Sequence, residues 1–221
     1  MHPRDNQFDF WWKLALATVG GIIKTGFRLR RIDAGRIPDS GAILAANHMS
    51  VLDPIVIAVL AAERGRTLRF LAAAEAFKIP VVGWGLRRLS QIPIRRGERD
   101  QGALDTAAEV IRIGALAGIF PEGRVNDLPD LLEGRRGAAR LALASGAPFV
   151  PVGIWGTHRR WPKTGLTFRR PLRPELAVAF GDPIYPSGDA ASADDLRKIT
   201  ETLMEAIEKQ RERARQAAGP D

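Results

Sequence analysis

The sequence predicts a single α/β domain with a largely parallel central sheet flanked by helices. Short apolar runs recur along the chain, each bounded by polar or turn residues and each of the length of a strand buried on both faces. Stretches with helical spacing separate them, and strands interleaved with helices are the pattern from which parallel sheets are built. At 221 residues, 45% of them hydrophobic, the chain is long enough for one sizeable core and too short for two ordinary domains.

The first element is a dense apolar, aromatic-led segment, Phe8–Phe27, with helical character. Its charge-free stretch, Leu14–Ile23, is 10 residues long, well short of the roughly 20 that span a bilayer. It carries no small-residue cleavage site, so no secretory signal is expected. Trp11 and Trp12 stand at one end, with Lys24, Arg28, Arg30 and Arg31 at the other. That distribution suits an amphipathic helix lying in the headgroup layer of an anionic membrane, and the alternative is a helix packed on the domain's own core. Residues 1–30 are therefore set apart as an interfacial helix segment. Six strands are expected after it: Ala42–Ala46, Leu68–Leu71, Gln91–Ile94, Leu116–Phe120, Phe149–Ile154 and Leu176–Phe180. Helical spacing marks Pro54–Ala62, Asp100–Ile113, Arg135–Ala144 and Ala193–Gln210, the last with Leu196, Ile199, Leu203 and Ile207 on one stripe. Ser192 and Asp195 form a capping-box pattern ahead of that stripe. The domain is expected to span 31–210, with a solvated tail over 211–221.

Composition narrows the chemistry. The absence of cysteine removes disulfides, thiol nucleophiles, thiolate zinc sites and iron–sulfur clusters, and permits a cytoplasmic location. A net charge of +8 favours a polyanionic partner: nucleic acid, an anionic membrane surface or a phosphorylated substrate. Gly83-Trp84-Gly85-Leu86-Arg87-Arg88 opens like a dinucleotide fingerprint but has Arg where the third Gly should pack, and there is no Walker A pattern. There is no Gly-x-Ser-x-Gly elbow for a serine hydrolase either.

Histidine remains. His2 lies near the first residue, and His158 sits in the basic loop Thr157–Lys163, where a solvated or anion-facing role is the default. His48 directly follows the apolar strand Ala42–Ala46, at the strand's carboxyl end, where α/β domains form their sites. Five helical residues would rotate Asp53 away from it, but a turn after the strand with Pro54 opening a helix returns the carboxylate to the imidazole. Asp53 would then accept the Nδ1 proton and leave Nε2 to deprotonate a hydroxyl; alternatively it only caps the helix and His48 is a polar loop residue. Phe120-Pro121-Glu122-Gly123-Arg124 likewise follows a strand, and Arg95-Arg96 a third. If the first two strands are parallel neighbours, both clusters share one edge, where Arg124 can bind a phosphate and Glu122 can hold a hydroxyl or position that Arg.

These residues resemble the glycerolipid acyltransferases typified by 1-acylglycerol-3-phosphate acyltransferase. Asn47-His48-x4-Asp53, with Ser50 inside it, is similar to that family's first block, and Ile92-Pro93-Ile94-Arg95-Arg96 to its second. Phe120-Pro121-Glu122-Gly123 resembles the third and Val150-Pro151-Val152-Gly153-Ile154 the fourth, in the family's order. Phe77-Lys78-Ile79-Pro80 with Gly83 and the stretch from Gly134-Arg135 to Ala144 extend the likeness over roughly 30–185. The resemblance implies acyl transfer from a coenzyme A or acyl-carrier-protein thioester to a hydroxyl of a lysophospholipid, with 1-acylglycerol-3-phosphate the foremost acceptor. It implies His48 as general base and Asp53 as its orienting partner. Arg96 would contact the acceptor phosphate and Glu122 and Gly123 would shape the acceptor side, with Asn47, Ser50 and Arg124 as further acceptor-site candidates. One departure stands out: the family usually reads Phe-Pro-Glu-Gly-Thr-Arg, whereas here Arg124 occupies the Thr position and Val125 the Arg position.

The implied reaction needs no metal, cofactor or covalent nucleophile, because a thioester is already activated. The expected setting is the cytoplasmic face of the cell membrane, with the protein monotopic or peripheral. Other glycerolipid or lipid acceptors stay open, as does a catalytically silent lipid-binding relative. A metal hydrolase would have to recruit His158 to His48, Asp53 and Glu122. A nucleic-acid-binding module is not expected, since the arginines are scattered and no recognition motif occurs.

Overall fold

The computed structural model describes residues 10–95, 100–126, 130–168 and 170–219. In chain order the elements are α1 (Phe10–Gly26), β1 (Arg28–Ile32), β2 (Ala42–Ala46), α2 (Asp53–Glu63), β3 (Leu68–Ala73), α3 (Pro80–Arg88), β4 (Ile92–Ile94), α4 (Gln101–Arg112), β5 (Leu116–Ile119), α5 (Gly137–Ser145), β6 (Phe149–Trp155), β7 (Glu175–Phe180) and α6 (Ala193–Ala218). The strands form one sheet in the order β1-β7-β6-β2-β5-β3-β4. From β6 to β4 all neighbours run parallel; β7 pairs antiparallel with β6 and carries β1 parallel to itself. The α/β layering and mostly parallel sheet are those expected from the sequence.

Strand periodicity explains the two layers. On β2, at the centre, Ile43 and Ala45 face a core built with α4, α5 and α6, while Ala42, Leu44 and Ala46 face the opposite core with α2 and the end of α1. All five residues are fully buried, which is why this strand reads as an unbroken apolar run. On β6, Gly153 lets α6 lie backbone against strand: a Cβ there would run into the main chain of Gln210 and Arg211. Ser192 caps α6 by accepting the Asp195 N–H at 3.2 Å, but the Asp195 carboxylate turns to the Asp189 N–H at 2.9 Å, so only half of the capping box forms.

Three expectations are corrected. The amino-terminal helix stops at Gly26 and the basic run becomes edge strand β1, in which Arg28 and Arg30 pair with Glu175 on β7 and Arg31 with Glu63 on α2. Lys24, at the end of α1, also reaches Glu63, at 3.0 Å. These four cations therefore knit the amino-terminal elements to the domain, and Trp12, Gly20 and Ile23 bury one stripe of α1, with Gly20 against Val59 of α2. The solvated tail is helix as far as Ala218. Arg211, Ala214 and Ala218 are buried there, Arg211 lies over the Trp155 ring at 5.7 Å, and Arg159 donates to the Ala218 and Gly219 carbonyls, satisfying the end of the helix. The Gly83–Arg88 stretch, which carries no dinucleotide fingerprint and was assigned no secondary structure from the sequence, belongs to helix α3.

Candidate active site

β2 lies between β5 and β6, so three parallel strands deliver their carboxyl ends side by side. The helix after β2 packs on one face of the sheet and the helix after β5 on the other. A crevice outside the strand ends at such a reversal is where α/β domains place their sites. Into it come His48 after β2, the Phe120–Arg124 segment after β5 and Thr157 after β6.

The chain turns between β2 and α2 so that Asp53 is the first helical residue, followed by Pro54 in the first turn. That turn closes the distance a straight helix would have opened: His48 Nδ1 is 2.9 Å from Asp53 Oδ2. The same oxygen accepts the backbone N–H groups of Met49 and Ser50, each at 2.7 Å, and Oδ1 accepts the Thr157 hydroxyl at 2.6 Å. Asp53 is completely buried and His48 is 8% exposed. A carboxylate with four donors on it is an acceptor, so Nδ1 carries the ring's proton and Nε2 is left with its lone pair. Asp53 thus closes the turn that precedes α2 and orients His48; it does not cap the helix, whose N-cap is Leu52 without a side-chain hydrogen bond.

Packing holds the ring. His48 stacks on Phe120 with centroids 3.9 Å apart and planes inclined by 14°, and Phe120 stacks on Phe70 at 5.1 Å and 8°. Phe70 fits because it lies opposite Gly118 on β5, where a Cβ would come within 2.5 Å of the Phe70 ring. From beneath, Glu122 Oε1 accepts the His48 backbone N–H at 2.9 Å, while Oε2 accepts Asn126 Nδ2 at 2.9 Å and the Leu132 N–H at 3.1 Å. Glu122, only 3% exposed, clamps three segments together beside the histidine.

The other expected site residues divide. Asn47 is buried and acts as a strand rung, exchanging hydrogen bonds with the Ile154 N–H and carbonyl at 2.8 and 3.0 Å. Ser50 donates to the Trp161 carbonyl at 2.7 Å and accepts the Leu52 N–H at 3.1 Å. Gly123 has φ of 71°, the left-handed region that favours glycine, and a Cβ there would sit 2.7 Å from Arg135 Nε. Arg124 is exposed on the same turn. Arg96 lies outside the described residues; Arg95 pairs with Asp100 at 3.3 Å, and its backbone N–H and then its guanidinium hold that carboxyl below its ordinary value. Arg159 donates to the carbonyls of Glu175, Ala218 and Gly219, and Arg160 to that of Pro171.

One residue, Thr157, was not legible beforehand as a site member, and Arg135 only as an alternative cation for the acceptor phosphate. Thr157 was read only as part of a basic loop, although its place after β6 repeats the pattern of the other clusters. Arg135 crosses over Gly123, tied there by its backbone N–H to the Pro121 carbonyl at 2.9 Å. His158, the further ligand a metal site would need, faces Met49 Sδ at 3.2 Å and the edge of Trp155.

Fold and site together define an α/β domain whose sheet edge presents a buried histidine oriented by a carboxylate, in a sequence with no cysteine and no Gly-x-Ser-x-Gly elbow. The family model described as Acyltransferase matches residues 28–155, more than half of the chain, and the chain belongs to that family. It is 29% identical over 170 residues to a chloroplast 1-acyl-sn-glycerol-3-phosphate acyltransferase of Brassica napus, covering 75% of this chain and 47% of the plant protein. The protein thus spans about half the length of that relative and of its Arabidopsis thaliana counterpart. With the 1-acyl-sn-glycerol-3-phosphate acyltransferase of Bacillus subtilis it shares 26% identity over 172 residues, 76% of this chain and 80% of that one. The crystal structure of the 1-acyl-sn-glycerophosphate acyltransferase PlsC of Thermotoga maritima superposes with a TM-score of 0.66 at 28% identity, covering 92% of this chain and 83% of the other.

Proposed function

We propose that the protein transfers a fatty acyl group from an acyl thioester, of coenzyme A or of acyl-carrier protein, to the free hydroxyl of a lysophospholipid, foremost 1-acylglycerol-3-phosphate, giving phosphatidate. The observation that carries this reading is the buried His48–Asp53 pair, with Nδ1 and Oδ2 at 2.9 Å and no partner on Nε2 among the described residues. Nε2 takes the proton of the acceptor hydroxyl as its oxygen bonds to the thioester carbonyl carbon. The C–S bond then breaks, and the leaving thiolate receives the proton from the imidazolium. Asp53 stabilises the imidazolium between the two steps. Asn47, Ser50 and Glu122 act as positioning residues: they lock the segment that carries His48. Arg124 and Arg135, exposed beside Gly123, supply cations for the acceptor phosphate, together with Arg96.

The reaction requires no cofactor. We place the protein at the cytoplasmic face of the membrane, held peripherally by α1. Among the described residues no helix is long and apolar enough to cross a membrane, whereas Phe10, Leu14 and Ile22 of α1 are exposed apolar side chains. Purified protein given an acyl thioester and a panel of lysophospholipids should release thiol and form diacyl phospholipid in equal amounts, fastest with 1-acylglycerol-3-phosphate. Lines that intersect in initial-rate plots are expected, because direct attack needs both substrates bound; an isolable acyl-protein adduct would refute it. Thiol release without lipid product would remove the acceptor assignment.

A further inference from the structure

Helix α3 turns its apolar side chains outward. Val81 is 80% exposed, Ile79 52%, Trp84 48% and Val82 47%, on and just before a helix of 9 residues, about two and a half turns. Gly83 is what seats the helix: it is buried, and a Cβ there would collide with the Phe77 backbone, so the helix presses that side inward and presents the opposite one. Trp84 meets Trp11 of α1 edge to face at 5.1 Å, and the Arg88 guanidinium lies over both rings, at 5.0 Å from Trp11 and 6.0 Å from Trp84. Trp11 in turn meets Phe10, which is 67% exposed. Two helices far apart in sequence therefore share one outward apolar and aromatic patch.

The charge within the two helices has one sign. Neither α1 nor α3 contains an acidic residue, while Lys13, Arg87 and Arg88 lie within them and Lys78 just before α3. Exposed valines beside indole rings with a cation over them are the composition that settles into the boundary between lipid headgroups and acyl chains. Position adds to this. α3 follows the carboxyl end of β3, which pairs parallel with β5, so it stands on the sheet edge from which His48 and Glu122 emerge.

We infer that α3 is a second bilayer-contacting element, which together with the start of α1 docks the protein on an anionic membrane with its His48 edge against the lipid surface. This rests on the proposed lipid acceptor but concerns a helix which that reading did not use. In the orientation so imposed, a lysophospholipid reaches the base from the membrane plane without leaving it.

The test is a double substitution, Val81→Asp with Val82→Asp, at positions exposed enough to spare the fold, checked by circular dichroism. Partition onto vesicles of phosphatidylcholine with phosphatidylglycerol should fall by roughly tenfold or more. Transfer to acceptor presented in those vesicles should fall in parallel, while transfer to a short-chain acceptor dispersed as monomers stays within about twofold. Tyr185→Asp serves as control. Tyr185 is 74% exposed and next to Ile184, which bridges to Phe149 at the start of β6, at the opposite edge; it should change neither. Leu14→Asp on α1 separates the two readings. If Leu14→Asp releases the protein from vesicles and the α3 variant does not, the assignment of α3 is overturned while membrane attachment through α1 stands. If neither does, both fall. A variant that keeps vesicle binding but raises KM for an acyl-carrier-protein thioester would make the patch a protein-docking surface and also overturn the inference.

Discussion

Replacing Asp53 by Asn removes one charge and almost nothing else. The carboxylate receives three donors on Oδ2, from His48 Nδ1 and the Met49 and Ser50 backbones, and one on Oδ1, from Thr157. An amide that puts its oxygen in the place of Oδ2 keeps all three. Its NH2 then meets the Thr157 oxygen, which can accept once the hydroxyl rotates. The flipped amide would press its donors against two backbone N–H groups at 2.7 Å, so the first orientation prevails. The ring keeps its place and its tautomer, and the loss is confined to the charge that stabilises the imidazolium. Opposite charges about 4 Å apart at an effective dielectric of about 20 attract by about 4 kcal/mol. General-base catalysis as a whole is worth about 10²–10⁴-fold, or about 3–5.5 kcal/mol. Asp53→Asn should therefore lower kcat by roughly 10²–10³ in a thiol-release assay at saturating substrates, with both KM values nearly unchanged. Stability should move little, because weaker hydrogen bonds to a neutral acceptor are offset by no longer burying a charge. Thr157→Val gives the complementary pattern. It leaves Oδ1 without its donor in a fully buried place, which costs about 1–3 kcal/mol of stability, and reduces kcat by less than about tenfold. A well-folded Asp53→Asn protein within threefold of the parent kcat would refute the assignment of Asp53 to the base.

The remaining predictions address phosphate, packing and pH. Arg135→Ala should raise the acceptor KM roughly 5- to 30-fold, as expected for about 1–2 kcal/mol from a solvent-exposed charged contact, and leave the donor KM alone. Arg124→Ser, measured in parallel, should have the smaller effect, and the reverse order would transfer the contact to Arg124. Gly153→Ala should destabilise the protein by about 3 kcal/mol or more, since the methyl must push α6 off β6; at about 2–4 °C per kcal/mol for a domain of this size, calorimetry should show Tm lower by roughly 6–12 °C. Glu63 has its pKa lowered, first by its hydrogen bond with Arg31 and then by Lys24. A folded-state value below the unfolded one gives stability that is present above the ordinary pKa of 4.5 and lost as pH falls through the depressed one. Glu63→Gln should thus cost about 0.3–1 kcal/mol near neutrality and nothing once the parent's carboxyl is protonated, a difference that thermal melts from pH 7 to pH 3 will show.

The parts of this molecule that were legible in its sequence are those buried on two faces. β2, β5 and β6 announce themselves as apolar runs because neither face meets water, and their carboxyl ends locate His48 and Glu122. β1 was hidden because an edge strand tolerates charges, and Arg28-Leu29-Arg30-Arg31-Ile32 reads as a basic helix flank until Glu175 and Glu63 are seen opposite. The carboxyl end of α6 was hidden for a related reason. Arg211 is buried with its guanidinium over the Trp155 ring while pairing with Glu208, so a charged residue fills a place an apolar one would. The His48–Asp53 contact could be argued from local turn geometry. Thr157 could not, since its partner is 104 residues away and only the order of strands in the sheet brings the two together. Arg135 could be named as an alternative cation for the acceptor phosphate, but its approach to Gly123 depends on how the loop after β5 folds back on itself.

The central claim is that Nε2 of His48 accepts the proton of the attacking hydroxyl. It is tested most directly by His48→Ala, assayed by simultaneous release of thiol from the acyl thioester and appearance of diacyl phospholipid from 1-acylglycerol-3-phosphate. The account predicts that both fall together by about 10²–10⁴-fold while the melting curve and vesicle binding stay near those of the parent. Equal turnover by a folded His48→Ala protein would contradict it.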